Sequence, residues 1–172
     1  MATDDLKRKA LEHAAINKDL AEMKKVVLGS KDVYTPEEKD AFMSIFSLME
    51  KISVHFNLEV VYLINSKTNN VKDAISGAKH IEGAFKAANL TNTVRDPKLP
   101  PTPKDTSDQE ALRAFYSEFI SEVHQWIYSS LEVLTLQIAR DAQNRTISST
   151  QIRKIKEHID ASAKIFDKIA GK

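Results

Sequence analysis

Three residue pairs have types and spacing that could do chemistry. His55 and Glu59, four apart, share one face of a helix, where an imidazole and a carboxylate could both touch a metal ion. Two ligands with no identifiable third make a poor site, and a side-chain pair along the helix is the plainer reading. Glu118 and Glu122, also four apart, could serve as acid and base if a cleft brought a substrate to them. They flank an apolar stripe on a helix whose other face must be solvated, which favours a surface role. The third pair is Arg153 and His158, in Arg153-Lys-Ile-Lys-Glu-His158. Imidazole moves a proton near neutral pH and a guanidinium grips a phosphate, so the two together could cleave a phosphodiester.

An arginine, four residues and a histidine on a late helix of an all-α chain resemble the motif of HEPN-type ribonucleases. That resemblance covers six residues, with Lys154 in place of the Asn or Asp that usually follows the arginine. It implies that Arg153 and His158 of two subunits meet across a dimer interface and cut RNA without a metal. The competing reading makes both of them solvated residues beside the apolar face of Ile152, Ile155 and Ile159.

Other reactive signatures are missing from the sequence. It has no glycine-rich phosphate loop, no G-x-S-x-G elbow and no H-E-x-x-H. No histidine stands three residues after a glutamate, the pairing a di-iron bundle needs. With no cysteine, disulfides, thiolate metal sites and a cysteine nucleophile are excluded. We therefore expect no cofactor and no metal, and no catalytic residue outside the Arg153/His158 alternative.

The elements that carry these residues read as helices. From Ser107 to Asn144, apolar residues recur at Leu112, Phe115, Phe119, Val123, Trp126, Leu131, Leu134, Ile138 and Ala142, in steps of mostly three and four. Ser107 and Glu110 have capping-box spacing at its start. Between Trp126 and Ala139 the apolar set widens to Ile127, Tyr128, Val133 and Leu136, which predicts a central helix covered on most sides. Thr35-Pro36-Glu37-Glu38 opens a second strong helix, expected over about 36–65, with Phe42, Ile45, Phe46, Met49, Ile52 and Phe56 on its stripe. Residues 52–60 also alternate polar and apolar like a half-buried strand. We read helix there, because no second strand is present to pair with it.

Further helices are expected at about 4–28, capped by Thr3 and packed peripherally, at 70–89, and at 149–170, with Ser148 and Gln151 in capping-box spacing. The 70–89 helix is rich in small residues. Its mid-helix Gly77 and Gly83 each cost ~1 kcal/mol relative to alanine, which predicts close approach of a neighbour. Residues 91–106 hold Pro97, Pro100, Pro101 and Pro103 and read as an extended crossover of roughly 45 Å. Such a connection lets the helices on either side run parallel. Pro97 and Pro100 also fit P-x-x-P, the signature of a ligand for a proline-reading domain.

Together these make a single all-helical domain over residues 1–172, a bundle of about five helices. Net charge is +1, which argues against nucleic acid as a partner, and no run of apolar residues is long enough to span a membrane. The charge is uneven: residues 34–66 and 106–145 are each net −3, while 67–105 and 146–172 are each net +3. Acidic helices are thus expected beside basic ones. With no signal segment at Met1–Lys9, a cytoplasmic protein is expected, or one in the host cell or virion if it is viral. The expected function is that of a non-enzymatic helical assembly, adaptor or structural protein, of the accessory kind found in bacteria and viruses. It would act through a protein partner or self-association. The HEPN-like ribonuclease is the alternative.

Overall fold

The computed structural model describes residues 2–31, 33–57, 70–88, 95–105, 107–140 and 147–169. They form five α-helices and, among the described residues, no strand: α1 Ala2–Gly29, α2 Pro36–Asn57, α3 Asn70–Ala87, α4 Gln109–Arg140 and α5 Ser149–Ile169. The stretch from 52 to 57 is helical, which settles the helix-or-strand question there in favour of helix. Residues 58–65 of the expected second helix, and 141–144 of the expected fourth, lie outside the described residues.

Helix starts follow local chemistry. The amide of Glu38 donates to Thr35 Oγ1 (3.1 Å) and that of Thr35 to Glu38 Oε1 (2.8 Å), a reciprocal box that opens α2. Ser148 and Gln151 do the same for α5. The expected box at α4 does not form. Asp108 Oδ1 accepts the amides of Glu110 and Ala111, while the Ser107 hydroxyl turns back to Asp105. Aspartate caps as well as serine does, and it stands one residue closer to the first turn. Thr3 lies inside α1 and so does not cap it.

The five helices close a ring in which each packs on two neighbours: α1 on α2 and α4, α3 on α4 and α5, and α5 on α2. A further contact, α2 against α4, crosses the ring. The two strongly apolar rods thus lie side by side. Together with α3 and α5 they make a four-helix core, with α1 laid along the α2–α4 edge. Phe42, Ile45, Phe46, Met49 and Ile52 of α2 are buried, as are Phe119, Val123, Trp126, Ile127, Leu131 and Leu134 of α4. α4 is not covered all round, however. Tyr128 and Val133 are half-buried, and Leu136 is 56% exposed on a solvated stripe with Ser129, Glu132 and Arg140.

Contacts fix the directions. Lys24 pairs with Glu50, and Asn17 meets Ser53, so α1 and α2 are antiparallel. Tyr34 OH donates to the Thr135 carbonyl (3.1 Å), tying the start of α2 to the later part of α4. Gln151 reaches the Ala87 carbonyl, Ser162 Oγ donates to that of Gly77 (3.0 Å), and Lys168 pairs with Asp73, so α3 and α5 are antiparallel. Among the described residues this is the most extensive helix pairing. The predicted close approach is found here. A Cβ on Gly77 would lie 2.9 Å from the Phe166 ring, and one on Gly83 3.0 Å from that of His158.

The described part of the crossover, 95–105, is an extended strap laid on α4, and Leu99 packs against the core. Its proline run is therefore used within the molecule as a connection. As expected from segment charge, the acidic α2 lies beside the basic α5 and the acidic α4 beside the basic α3. The α3–α5 and α2–α4 pairings, however, join segments of like charge, and in the Lys51–Asp167 pair (2.6 Å) each residue has the sign opposite to its segment's.

Candidate functional site

The strap, the N-terminal half of α4 and α1 enclose the best-defined polar site. It is an open cleft of about 370 Å³ lined by Arg8, Glu12, Lys98, Pro100, Glu118, Ser121, Glu122 and Gln125. The helical spacing of α4 sets 118, 122 and 125 on one side, facing α1 and the strap. Glu122 is the anchor. It accepts both terminal nitrogens of Arg95 (2.8 and 2.9 Å) and the amide of Lys98. Partial burial pushes its carboxyl up, but Arg95 and the Lys98 amide outweigh this and hold it below the usual carboxylate range. The same carboxylate raises Arg95. One turn on, the indole N–H of Trp126 donates to the Arg95 carbonyl (2.9 Å), satisfying the polar edge of a buried ring.

This geometry clamps a loop and does not prepare acid–base chemistry. Glu122 is held ionised by a bidentate partner, while Glu118 is exposed. Glu12 is occupied by Arg8 (3.0 Å) and Gln125 (3.1 Å). The two carboxylates, for which a surface role was the favoured reading, are thus a strap anchor and a surface carboxylate.

Below the cleft is a buried polar node that sequence reasoning missed. Asn17 Oδ1 of α1 lies 3.0 Å from Nε2 of His124 on α4 and accepts from Ser53 Oγ of α2 (3.1 Å). An amide oxygen can only accept, so the imidazole proton belongs on Nε2. His124 is fully buried, so the node fixes the register of three helices within the core. Its sequence signal was faint: a histidine flanked by Val123 and Trp126 on the stripe of the most apolar helix.

Arg153 and His158 are not brought together within the subunit. Five residues along a helix separate them by about 140° around its axis. Arg153 is exposed, whereas His158 leans on Gly83 of α3 with its ring centroid 5.8 Å from that of His80. The His80–His158 pairing joins residues distant in sequence and carried no local signal. Of the His55/Glu59 pair, the side chain of His55 and the whole of Glu59 lie outside the described residues. Among the described residues, no group of three or more His, Cys, Asp or Glu could hold a metal ion. No described helix is long and apolar enough to cross a membrane. No protein-family model, curated protein or solved structure matches the chain.

Proposed function

We propose that this chain is a non-enzymatic helical assembly or adaptor protein that works through protein–protein contacts, as bacterial and viral accessory proteins do. A second copy of itself is the partner to test first. The observation that carries this reading lies on α1. That helix packs on α2 and α4 along one side and leaves Leu11 73% and Val26 67% exposed on its outer side. Isolated exposed apolar residues are ordinary on a protein surface. Here two of them stand within about 60° of one another around the same helix, with Ala15 between them. The two stand roughly 22 Å apart along the axis, at about 1.5 Å per residue, with exposed Lys18 and Glu22 between them on the same stripe, so this outer face mixes apolar side chains with charge of both signs.

The state of the reactive groups supports the same reading. Glu122 and Glu12 are engaged, His124 is sealed in the core, and Arg153 points away from His158. Light scattering coupled to gel filtration tests the proposal. A mass that rises with concentration through the micromolar range, and falls to the monomer in a Leu11→Glu/Val26→Glu variant, supports it. A strict monomer throughout removes self-association.

A further inference from the structure

The two segments that each sum to +3 lie against one another as α3 and α5, so the total of +1 conceals a charge gathered on one side of the molecule. Helical spacing puts Lys72, Lys79 and Lys86, seven residues apart, on one exposed stripe of α3. On α5 the exposed Lys154, Lys164 and Lys168 share the outward face next to that stripe. Contacts across the seam set the register of the two rows. Gln151 on the Ala87 carbonyl, Ser162 on that of Gly77 and Lys168 with Asp73 put Lys154 near Lys86 and Lys168 near Lys72. Lys79 and Lys164 fall between them. The α3 row runs about 21 Å at 1.5 Å per residue. Short side chains, Ser76 and Gly83 of α3 and Ala161 of α5, lie between the rows. Among the described residues Lys72, Lys79, Lys154 and Lys164 make no hydrogen bond or ion pair. Lys86 is paired with Glu82 (2.8 Å) and Lys168 with Asp73 (3.5 Å), and Glu157 is the remaining carboxylate beside the rows.

We propose that this face docks the phosphate backbone of a double-helical nucleic acid, without reading its sequence. Lysines that displace counterions from phosphates supply essentially all of such binding. The local field decides it, and here the field is that of six lysines against three carboxylates. A protein partner would need apolar anchors at the centre of the face, and a lipid surface would need apolar side chains to insert. None of the exposed large apolar residues lies on α3 or α5. The face also presents no exposed Phe, Tyr or Trp on which unpaired bases could stack, which favours a duplex over a single strand. Its length spans about six base pairs at 3.4 Å each. It lies opposite α1 in the ring of helices and is thus separate from the surface offered to a protein partner.

Fluorescence anisotropy of a labelled DNA duplex of about 20 base pairs, titrated with the full chain, tests this. Binding is expected in the micromolar range at about 50 mM salt and should weaken roughly 100-fold at about 200 mM, the slope for about four lysines on phosphates. Lys79→Glu/Lys164→Glu should weaken it tenfold or more at the lower salt, with helicity unchanged by circular dichroism. Lys79→Gln/Lys164→Gln should flatten the salt slope by about 2. Arg113→Glu/Arg140→Glu makes the same change of net charge on exposed residues of α4 and should leave binding within about twofold. No binding at the lower salt, binding that ignores salt, or equal losses in the α4 variant and the Lys79/Lys164 variant would overturn the proposal. Tighter binding to polyglutamate, to phosphatidylserine vesicles or to the single strand would overturn it too.

Discussion

Alanine at Gly77 and alanine at Gly83 should have opposite effects, although both remove a mid-helix glycine from the same helix. In an unhindered helix each substitution gains about 1 kcal/mol of helix propensity. At Gly77 the new Cβ meets Phe166 Cε2 at 2.9 Å and Cζ at 3.3 Å, with Ile165 Cγ2 at 3.5 Å behind them. Phe166 is fully buried, so its ring cannot swing out to solvent to make room. Overpacking of this kind costs about 1–3 kcal/mol, so Gly77→Ala should come out neutral to about 2 kcal/mol destabilising. At Gly83 the obstacle is the His158 ring, on a half-exposed side chain that can swing towards solvent. Most of the propensity gain then survives, and Gly83→Ala should be neutral to about 1 kcal/mol stabilising. Urea unfolding followed by circular dichroism measures both. For a domain of this size, about 1 kcal/mol corresponds to roughly 2–4 °C in melting temperature. A stabilising Gly77→Ala, or a destabilising Gly83→Ala, would refute the reasoning that a tight α3–α5 seam is why these glycines are there.

Three further outcomes follow from the contacts. Asn17→Leu removes the acceptor shared by His124 and Ser53 and should cost about 1–3 kcal/mol in urea unfolding, because buried donors lose their partner. Glu122 has a lowered pKa in the folded state, so its contribution is complete above the usual value of 4.5 and is lost as pH falls through the lowered one. Emission from Trp126, the single tryptophan, should accordingly hold steady from pH 7 to 5 and shift to the red in stronger acid, and Glu122→Gln should show a loosened strap already at pH 7. Thr35→Ala breaks the box that opens α2 and should cost about 1 kcal/mol by thermal unfolding.

Much of the fold was legible because its signals are local. The Thr35/Glu38 and Ser148/Gln151 boxes name their own helix starts, and the stripes of α2 and α4 have the helical period over many turns. The glycines of α3 pointed to close approach because only a packed neighbour compensates their cost. What was missed is non-local or lies in small differences. Asp108 displaced Ser107 as the cap because both residue types serve that position and spacing cannot choose between them. Leu136 reads as core by type, yet it falls on the stripe of α4 that no described helix covers. The Asn17–His124–Ser53 node, the Arg95–Glu122 clamp and the His80–His158 pair each join residues far apart in sequence, and no periodicity links them. Segment charge was a partial guide: α2 does lie beside α5, yet like-charged α3 and α5 also pair, because ion pairs form where side chains meet and a sum over forty residues does not say where that is.

Hydrogen exchange along the chain, read at two protein concentrations, tests most directly the claim that α1 is a peripheral helix with an outer face for a partner. In dilute protein α1 should exchange faster than α2 and α4, which share the core, and its exchange should slow as the concentration rises through tens of micromolar. An α1 as protected as α2 when dilute, or one whose exchange ignores concentration, would contradict the account.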